Sequence, residues 1–497
     1  MLGKAWIVSL FAIFSQLVAF IRTAIMAFLF GASSVVDAYN LALVVPVLLS
    51  GVVGGWLQAG FVGRYIALRQ HNELDAAHFS IAIGRMVLVI VAALALAIFA
   101  FREPLASMLV PPASLSTRQL TEAALSIVSW SLVPTVLADF LGLILNCHGR
   151  FLAAATAPVV NALVAAVALW LWPHHDLDAL VQTLMLGWLA QMMVLAVAYK
   201  AAGLKFVARC PDMSDEIKAT LRLALPILPA VLFSNGTTVV IQLACSRLGE
   251  GAVAVYGYAS RLHGALSQVM IVGIGTVLLP HLAGMLASQQ RSKIGPLFQR
   301  LGRATMVGYA LILTGVFLLG DATILTVLGR GKFDALLASA VADAWMILTV
   351  SLLPFAFATF LAKLFQAMQQ PVLLSWSSLI AIVITALVCY VGGNLDNLAL
   401  LVAAPIFAQL SVLGFFLACF RREFGPIANF GEVFTALARC ALLVLPSMAV
   451  DVAVNHLVSA HTSAWFLLVR VVLFVGIFLF AARVNRSHRW ILHEERS

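Results

Sequence analysis

The sequence predicts an all-α polytopic membrane protein with about fourteen transmembrane helices. Composition is the first reason. Of 497 residues, 63% are hydrophobic and only 10% charged, and the mean hydropathy is +1.04, far from the range of soluble domains. The second reason is periodic. One apolar stretch of about 20 residues follows another, and the polar breaks between them are too short to fold as separate domains.

In chain order the apolar runs place spans near 5–29, 35–62, 79–101, 120–146, 151–172, 178–200 and 221–247, then 253–286, 298–319, 340–368, 371–391, 397–420, 433–454 and 463–482. Lys4 ahead of the first run suggests a secretory leader. The run is too long for one, Arg22 interrupts it, and no small-residue cleavage pattern follows, so the reading is a retained helix. Lys and Arg set the expected orientation. With the N-terminus inside, the inner connections hold Arg64, Arg69, Arg150, Lys200, Lys205, Arg209, Lys218, Arg291, Lys293, Arg300, Arg303, Arg421 and Arg422, and the tail adds Arg483, Arg486 and Arg489. Outer connections hold little beyond Arg102, Arg118, Arg247, Arg330 and Lys332. An even number of spans then puts both termini in the cytoplasm. The net charge of +9 is accounted for by topology and contact with anionic membrane lipids, with no nucleic-acid partner required.

Cys147, Cys210, Cys245, Cys389, Cys419 and Cys440 form no CxxC pair and fall mostly in spans or at their edges, which predicts free thiols and no zinc site. His174, His175, Asp176 and Asp178 gather in an outer connection after Pro173. A solvated turn is favoured over a metal site, because no partner ligands lie near in sequence.

One internal match stands out. Phe30 to Tyr39 overlays Leu248 to Gly257, each opening a long helix directly after an outer turn. The offset corresponds to six spans, an even number, so the halves would share an orientation about an axis along the membrane normal. That arrangement predicts one six-helix bundle over 1–205, a second over 206–425, and two additional helices with a tail over 426–497.

Charges inside apolar helices cost about 2.5 to 3.5 kcal/mol each at mid-helix, so they are expected to face a partner or a wet cavity. Arg22, Asp37, Arg85 and Asp139 lie in the first half, and Arg261, His263, Lys363 and Arg470 in the second. A cavity presenting Arg22, Arg261 and Lys363 without matching acids would attract a phosphate-bearing ligand, since guanidinium groups hold phosphate oxygens bidentately. The competing reading is structural pairing or snorkelling, Arg22 with Asp37 for example. For Arg85 and Arg470 the structural reading is favoured, and Asp139 reads equally as a helix-pairing acid or a functional one.

Ser15-Gln16-Leu17-Val18-Ala19-Phe20-Ile21-Arg22, followed by Phe30-Gly31-Ala32 and Asp37-Ala38, resembles the opening of the MurJ/MviN lipid II flippases of the MOP exporter superfamily. Tyr258-Ala259-Ser260-Arg261-Leu262 and Gly275-Thr276-Val277-Leu278-Leu279-Pro280 are similar to that family's eighth-helix motif, and Gly331-Lys332-Phe333 and Lys363 to its later landmarks. The resemblance implies two six-helix bundles in a V, with the last two helices forming a groove for a lipid tail. It assigns Arg22 and Arg261, with Lys363, to a cationic cavity for a diphosphate, and Asp37 to gating or structural support. Three departures change the charge, two by removing arginines and one by removing an acid. Gln16, Ser50 with Gly51, and Ser260 stand where the family has a second arginine, an arginine pair and an acid, which leaves Gln16 and Ser260 as polar members of the substrate site. Gly51, Gly54 and Gly275 are candidate bending or close-packing points.

The implied activity is export of a polyprenyl-diphosphate-linked envelope precursor by alternating access, with cell-envelope synthesis proteins as candidate partners. No phosphate loop GxxxxGK[ST] and no cofactor motif occurs. The membrane potential, about 2.3 kcal/mol per charge per 100 mV, or a coupled ion would supply the driving force. The seventh and eleventh spans hold no acid to bind sodium. Alternatives are a MOP-superfamily exporter of another substrate, either a polysaccharide unit or a drug exchanged for a cation, a membrane enzyme acting on lipid-linked sugars, and a scaffold. A drug/cation antiporter would want acids in a central cavity, an enzyme would want paired carboxylates or histidines in a sizeable loop, and a scaffold leaves the buried arginines unexplained.

Overall fold

In lipid a backbone must satisfy its own hydrogen bonds, and this chain does so with helices. The computed structural model describes residues 2–112, 114–204, 213–425, 438–449 and 464–484. Lys205, Arg209, Cys210, Arg486, Arg489 and both ends of the 433–454 span lie outside them, as do the side-chain surroundings of Gly275.

The first ten helices are α1 (Leu2–Phe30), α2 (Ser34–Trp56), α3 (Val62–His71), α4 (Glu73–Ala100), α5 (Arg102–Leu109), α6 (Leu115–Cys147), α7 (Phe151–Leu171), α8 (Leu177–Ala201), α9 (Ser214–Ala224) and α10 (Leu228–Cys245). There follow α11 (Ala252–Ala287), α12 (Ile294–Leu328), α13 (Ala335–Val350), α14 (Leu352–Ala367), α15 (Pro371–Asn394), α16 (Leu398–Phe424), α17 (Ala438–Ala449) and α18 (Ala464–Val484). Among the described residues, ten helical segments are long and apolar enough to cross a membrane. The other predicted spans fall on α1, α11, α17 and α18.

Three local departures from the predicted spans have visible causes. The second continues beyond residue 62, because a π-turn over Leu57–Phe61 joins α2 to α3 without ending the helix. The seventh breaks at Leu225–Ile227, where Pro226 lacks the N–H that would continue the ladder. The tenth divides at Ser351, three residues before Pro354.

Two compact units emerge, Met1–Gly257 with Cys389–Leu401, and Tyr258–Val388 with Val402–Ser497. In the first unit α6 packs against α2, α4 and α8, α7 against α1 and α8, and α10 against α2. Small residues allow these approaches where lipid supplies no hydrophobic drive. At the α7–α8 crossing a Cβ on Gly187 would sit 2.8 Å from Asn161 Oδ1, and Asn161 Nδ2 donates to Gln191 Oε1 at 2.9 Å. Phe61, in the π-turn, stacks on Phe79 with ring centroids 5.5 Å apart. The second unit has a core that includes Phe298, Phe360, Phe365, Phe416 and Phe420, all nearly inaccessible. There Arg470, buried on α18, donates to the Leu318 carbonyl of α12 at 3.4 Å, a structural contact in the appended helix.

Cys147, Cys245, Cys389, Cys419 and Cys440 are free thiols. Asp176 has a structural task, its Oδ1 accepting from Ala179 N–H at 3.0 Å to cap α8.

Candidate functional site

The arginine of the first helix sits eight residues before its end. Gly31, at φ 61, ends α1 and allows the tight turn into α2. Arg22 Nη2 donates to the Tyr39 hydroxyl at 2.8 Å, and the guanidinium carbon lies 5.8 Å from the centre of that ring. Arg22 Nε is buried without a hydrogen-bond partner. Among the described residues no carboxylate comes within 4.0 Å of Arg22. A phenol orients a guanidinium without neutralising it, so the positive charge and an unused donor remain for an anion.

Asp37 therefore does not pair with Arg22. It is 3% exposed, and its Oδ2 accepts from Gly251 N–H at 2.6 Å and its Oδ1 from Ala254 N–H at 2.7 Å. These are orphan donors at the start of α11, where the helix dipole favours a negative charge. In return, Glu250 Oε1 accepts from Ser34 N–H, 2.9 Å away, at the start of α2. The two segments that match each other in sequence thus cap each other's helices. Glu250 had no signal of its own, because its counterpart in the repeat is Ala32.

Gln16 is exposed on α1. Ser260 and Arg261 are half-buried on α11, and Lys363, half-buried on α14, donates to Gln366 Oε1 at 3.4 Å. These last three belong to the second unit, Arg22 and Gln16 to the first.

Gly51 and Gly54 border a cavity of about 300 Å³ inside the first unit, walled by α2, α6, α8 and α10. A Cβ on Gly51 would come 2.8 Å from Asn235 Oδ1, and one on Gly55 2.8 Å from Val231 side-chain atoms, so both glycines permit the close approach of α10 to α2. Asp139 Oδ2 lies 3.9 Å from where a Cβ of Gly54 would be. Sequence reasoning singled out Asp139 but missed Asn235, Thr135 and Trp188, which share its cavity. Only the spacing of Ser131, Thr135 and Asp139, four residues apart and so on one face of α6, could have linked three of these groups.

At one end of the same unit, Arg64 of α3 forms an ion pair with Glu216 of α9, which holds the Glu216 carboxyl below its ordinary range. Tyr65 hydroxyl and His148 Nε2 are 2.8 Å apart. Burial, reinforced by Arg69, pushes the His148 imidazole down.

Comparison with known proteins gives a consistent result. The family model described as lipid II flippase MurJ matches residues 26–475. A probable lipid II flippase MurJ of Rhizobium meliloti is 26% identical over 337 residues, 64% of this chain and 62% of the relative. The matched stretch thus spans less than two thirds of that relative's length. The lipid II flippase MurJ of Burkholderia cenocepacia is 26% identical over 388 residues, 73% of this chain and 72% of its own. Among solved structures, lipid II flippase MurJ in an inward closed conformation superposes with a TM-score of 0.81 at 16% identity, covering 97% of this chain and 99% of that one. An inward-facing multidrug-resistance MATE transporter of the MOP superfamily gives 0.69 at 12% identity, covering 83% and 95%. At such identities the structural likeness speaks for the fold alone.

Proposed function

Because the chain belongs to the lipid II flippase MurJ family, we propose that it moves a lipid-linked, anionic envelope precursor of the lipid II kind from the cytoplasmic to the outer leaflet of the inner membrane. It is a transporter and not an enzyme in this reading, with both termini in the cytoplasm. The head group enters a wet, cationic space while the lipid tail stays in the bilayer, and alternating access delivers it outward.

The observation that carries the reading is Arg22. A charge this deep in an apolar helix is expensive, and here it is oriented by Tyr39 without a carboxylate in reach among the described residues. Arg261 and Lys363 are assigned to the same diphosphate on the family resemblance, with Gln16 and Ser260 as neutral hydrogen-bonding members. Asp37, capping the start of α11, fixes one arrangement of that helix against α2 and supports a gating or structural role.

The test is transport by purified protein in vesicles holding a polyprenyl-diphosphate-linked glycan. Arg22→Ala should abolish flipping with unchanged size-exclusion profile and melting temperature, and Arg22→Lys should retain part of it, keeping the charge but losing the bidentate fork. Full activity in Arg22→Ala would remove the site assignment. Cargo is decided by whether the gene restores growth to cells depleted of their lipid II flippase.

A further inference from the structure

The cavity between α2, α6, α8 and α10 holds a formal charge that none of its described lining residues balances. Among them is no Lys, Arg or His, and Arg22 is not one of them. Asp139 has no hydrogen bond or ion pair with any described residue, although its carboxylate is open to the cavity. An uncompensated carboxylate within a membrane-spanning bundle is costly, and it is neutralised either by a proton of its own or by a bound cation.

Its neighbours indicate which kind. Ser50 Oγ donates to Val47 O at 3.0 Å, Ser131 Oγ to Val128 O at 2.7 Å and Thr135 Oγ1 to Ser131 O at 2.7 Å. With their protons committed to the backbone, the three hydroxyls have only lone pairs left to offer. Asn235 Nδ2 likewise donates to Val231 O at 2.8 Å, which points its Oδ1 toward the Gly51 face of α2. Among the described lining side chains the remaining donors are the second Asn235 amide hydrogen and the Trp188 indole, both neutral. Hard oxygen acceptors thus outnumber donors around a single negative charge.

We propose that this cavity is a binding site for a monovalent metal cation of the sodium type, with Asp139 as its charged ligand and Ser131, Thr135 and Asn235 as neutral oxygen ligands. One carboxylate is too little charge for the divalent ions, which usually gather more. The volume of about 300 Å³ leaves room for the ion to keep several waters, each of which takes about 30 Å³ in the liquid. Because α2 and α10 both wall the cavity, occupancy would favour the packing in which Gly51 and Asn235 touch.

The test uses the purified full chain in detergent and reads the melting temperature across NaCl, KCl and choline chloride titrations at fixed ionic strength and neutral pH. Wild type should be stabilised by several degrees in Na⁺ with saturation, and not by choline. Asp139→Asn should lose the Na⁺ response. Thr135→Val, which keeps the charge and volume, should move the half-saturating Na⁺ concentration upward several-fold, and serves as the decisive variant should Asp139→Asn fail to fold. Three results overturn the site: equal responses to all three salts, a Na⁺ response that survives in Asp139→Asn or is unmoved in Thr135→Val, and stabilisation by acid alone without any response to Na⁺.

Discussion

Replacing Asp37 with Ala removes both acceptors that hold the start of α11. Each bond runs from a buried backbone N–H to a carboxylate, at 2.6 and 2.7 Å, and bonds to charged groups contribute about 1.5–3 kcal/mol each. Loss of a helix-capping side chain, measured alone, costs about 0.5–2 kcal/mol and describes part of the same interaction. A combined loss of about 3 kcal/mol follows. At about 2–4 °C per kcal/mol for large domains, the melting temperature should fall by roughly 6–12 °C. Asp37→Asn keeps one oxygen but turns an amide NH2 toward the other N–H, so it should show about half that drop. Glu250→Ala makes a useful contrast, because its acceptor role for Ser34 N–H is at an exposed site where water takes over, and its cost should stay below about 1 kcal/mol. Thermal unfolding of the three variants by intrinsic fluorescence, with size exclusion as a folding control, measures this series. Asp37→Ala melting within about 2 °C of wild type, or Glu250→Ala as damaging as Asp37→Ala, would refute the mutual-capping argument.

Three further outcomes are expected. Gly55→Leu places a branched side chain where a single Cβ already meets Val231 at 2.8 Å; α10 must move away from α2, and stability should fall by about 1–3 kcal/mol, whereas Gly63→Ala, with nothing within 4 Å, should be near neutral. Glu216→Gln breaks an exposed ion pair to Arg64 and should change stability by less than about 1 kcal/mol in denaturant titration. Because that carboxyl is held low, its contribution is present above the ordinary glutamate range and is lost as pH falls through the folded value, so wild type and variant should converge in acid. His148 is held neutral in the folded state, so the unfolded chain takes up its proton first and stability is lost as pH drops below the ordinary histidine range of about 6.5. His148→Gln should flatten this part of the melting profile, and an unchanged pH slope would show that another group sets it.

Hydropathy alone settles that this is a bundle of helices in a membrane, and it places most of their ends within a few residues. A bilayer imposes one length and one way of closing backbone hydrogen bonds, so a linear pattern is sufficient information. The departures too have local causes, as Pro226 shows in dividing α9 from α10. Charge patterning likewise singles out Arg22, Asp37 and Asp139, because a charge inside an apolar span is anomalous wherever it occurs. Their partners were not legible. That Asp37 answers to Gly251 and Ala254, more than 200 residues away, that Arg22 leans on Tyr39, and that Asp139 shares a cavity with Asn235 depend on which helix faces pack together. Neutral residues such as Tyr39, Thr135 and Asn235 carry no anomaly in sequence, since a hydroxyl or amide in a span usually satisfies itself on its own helix. They gain meaning only when folding brings an unbalanced charge beside them.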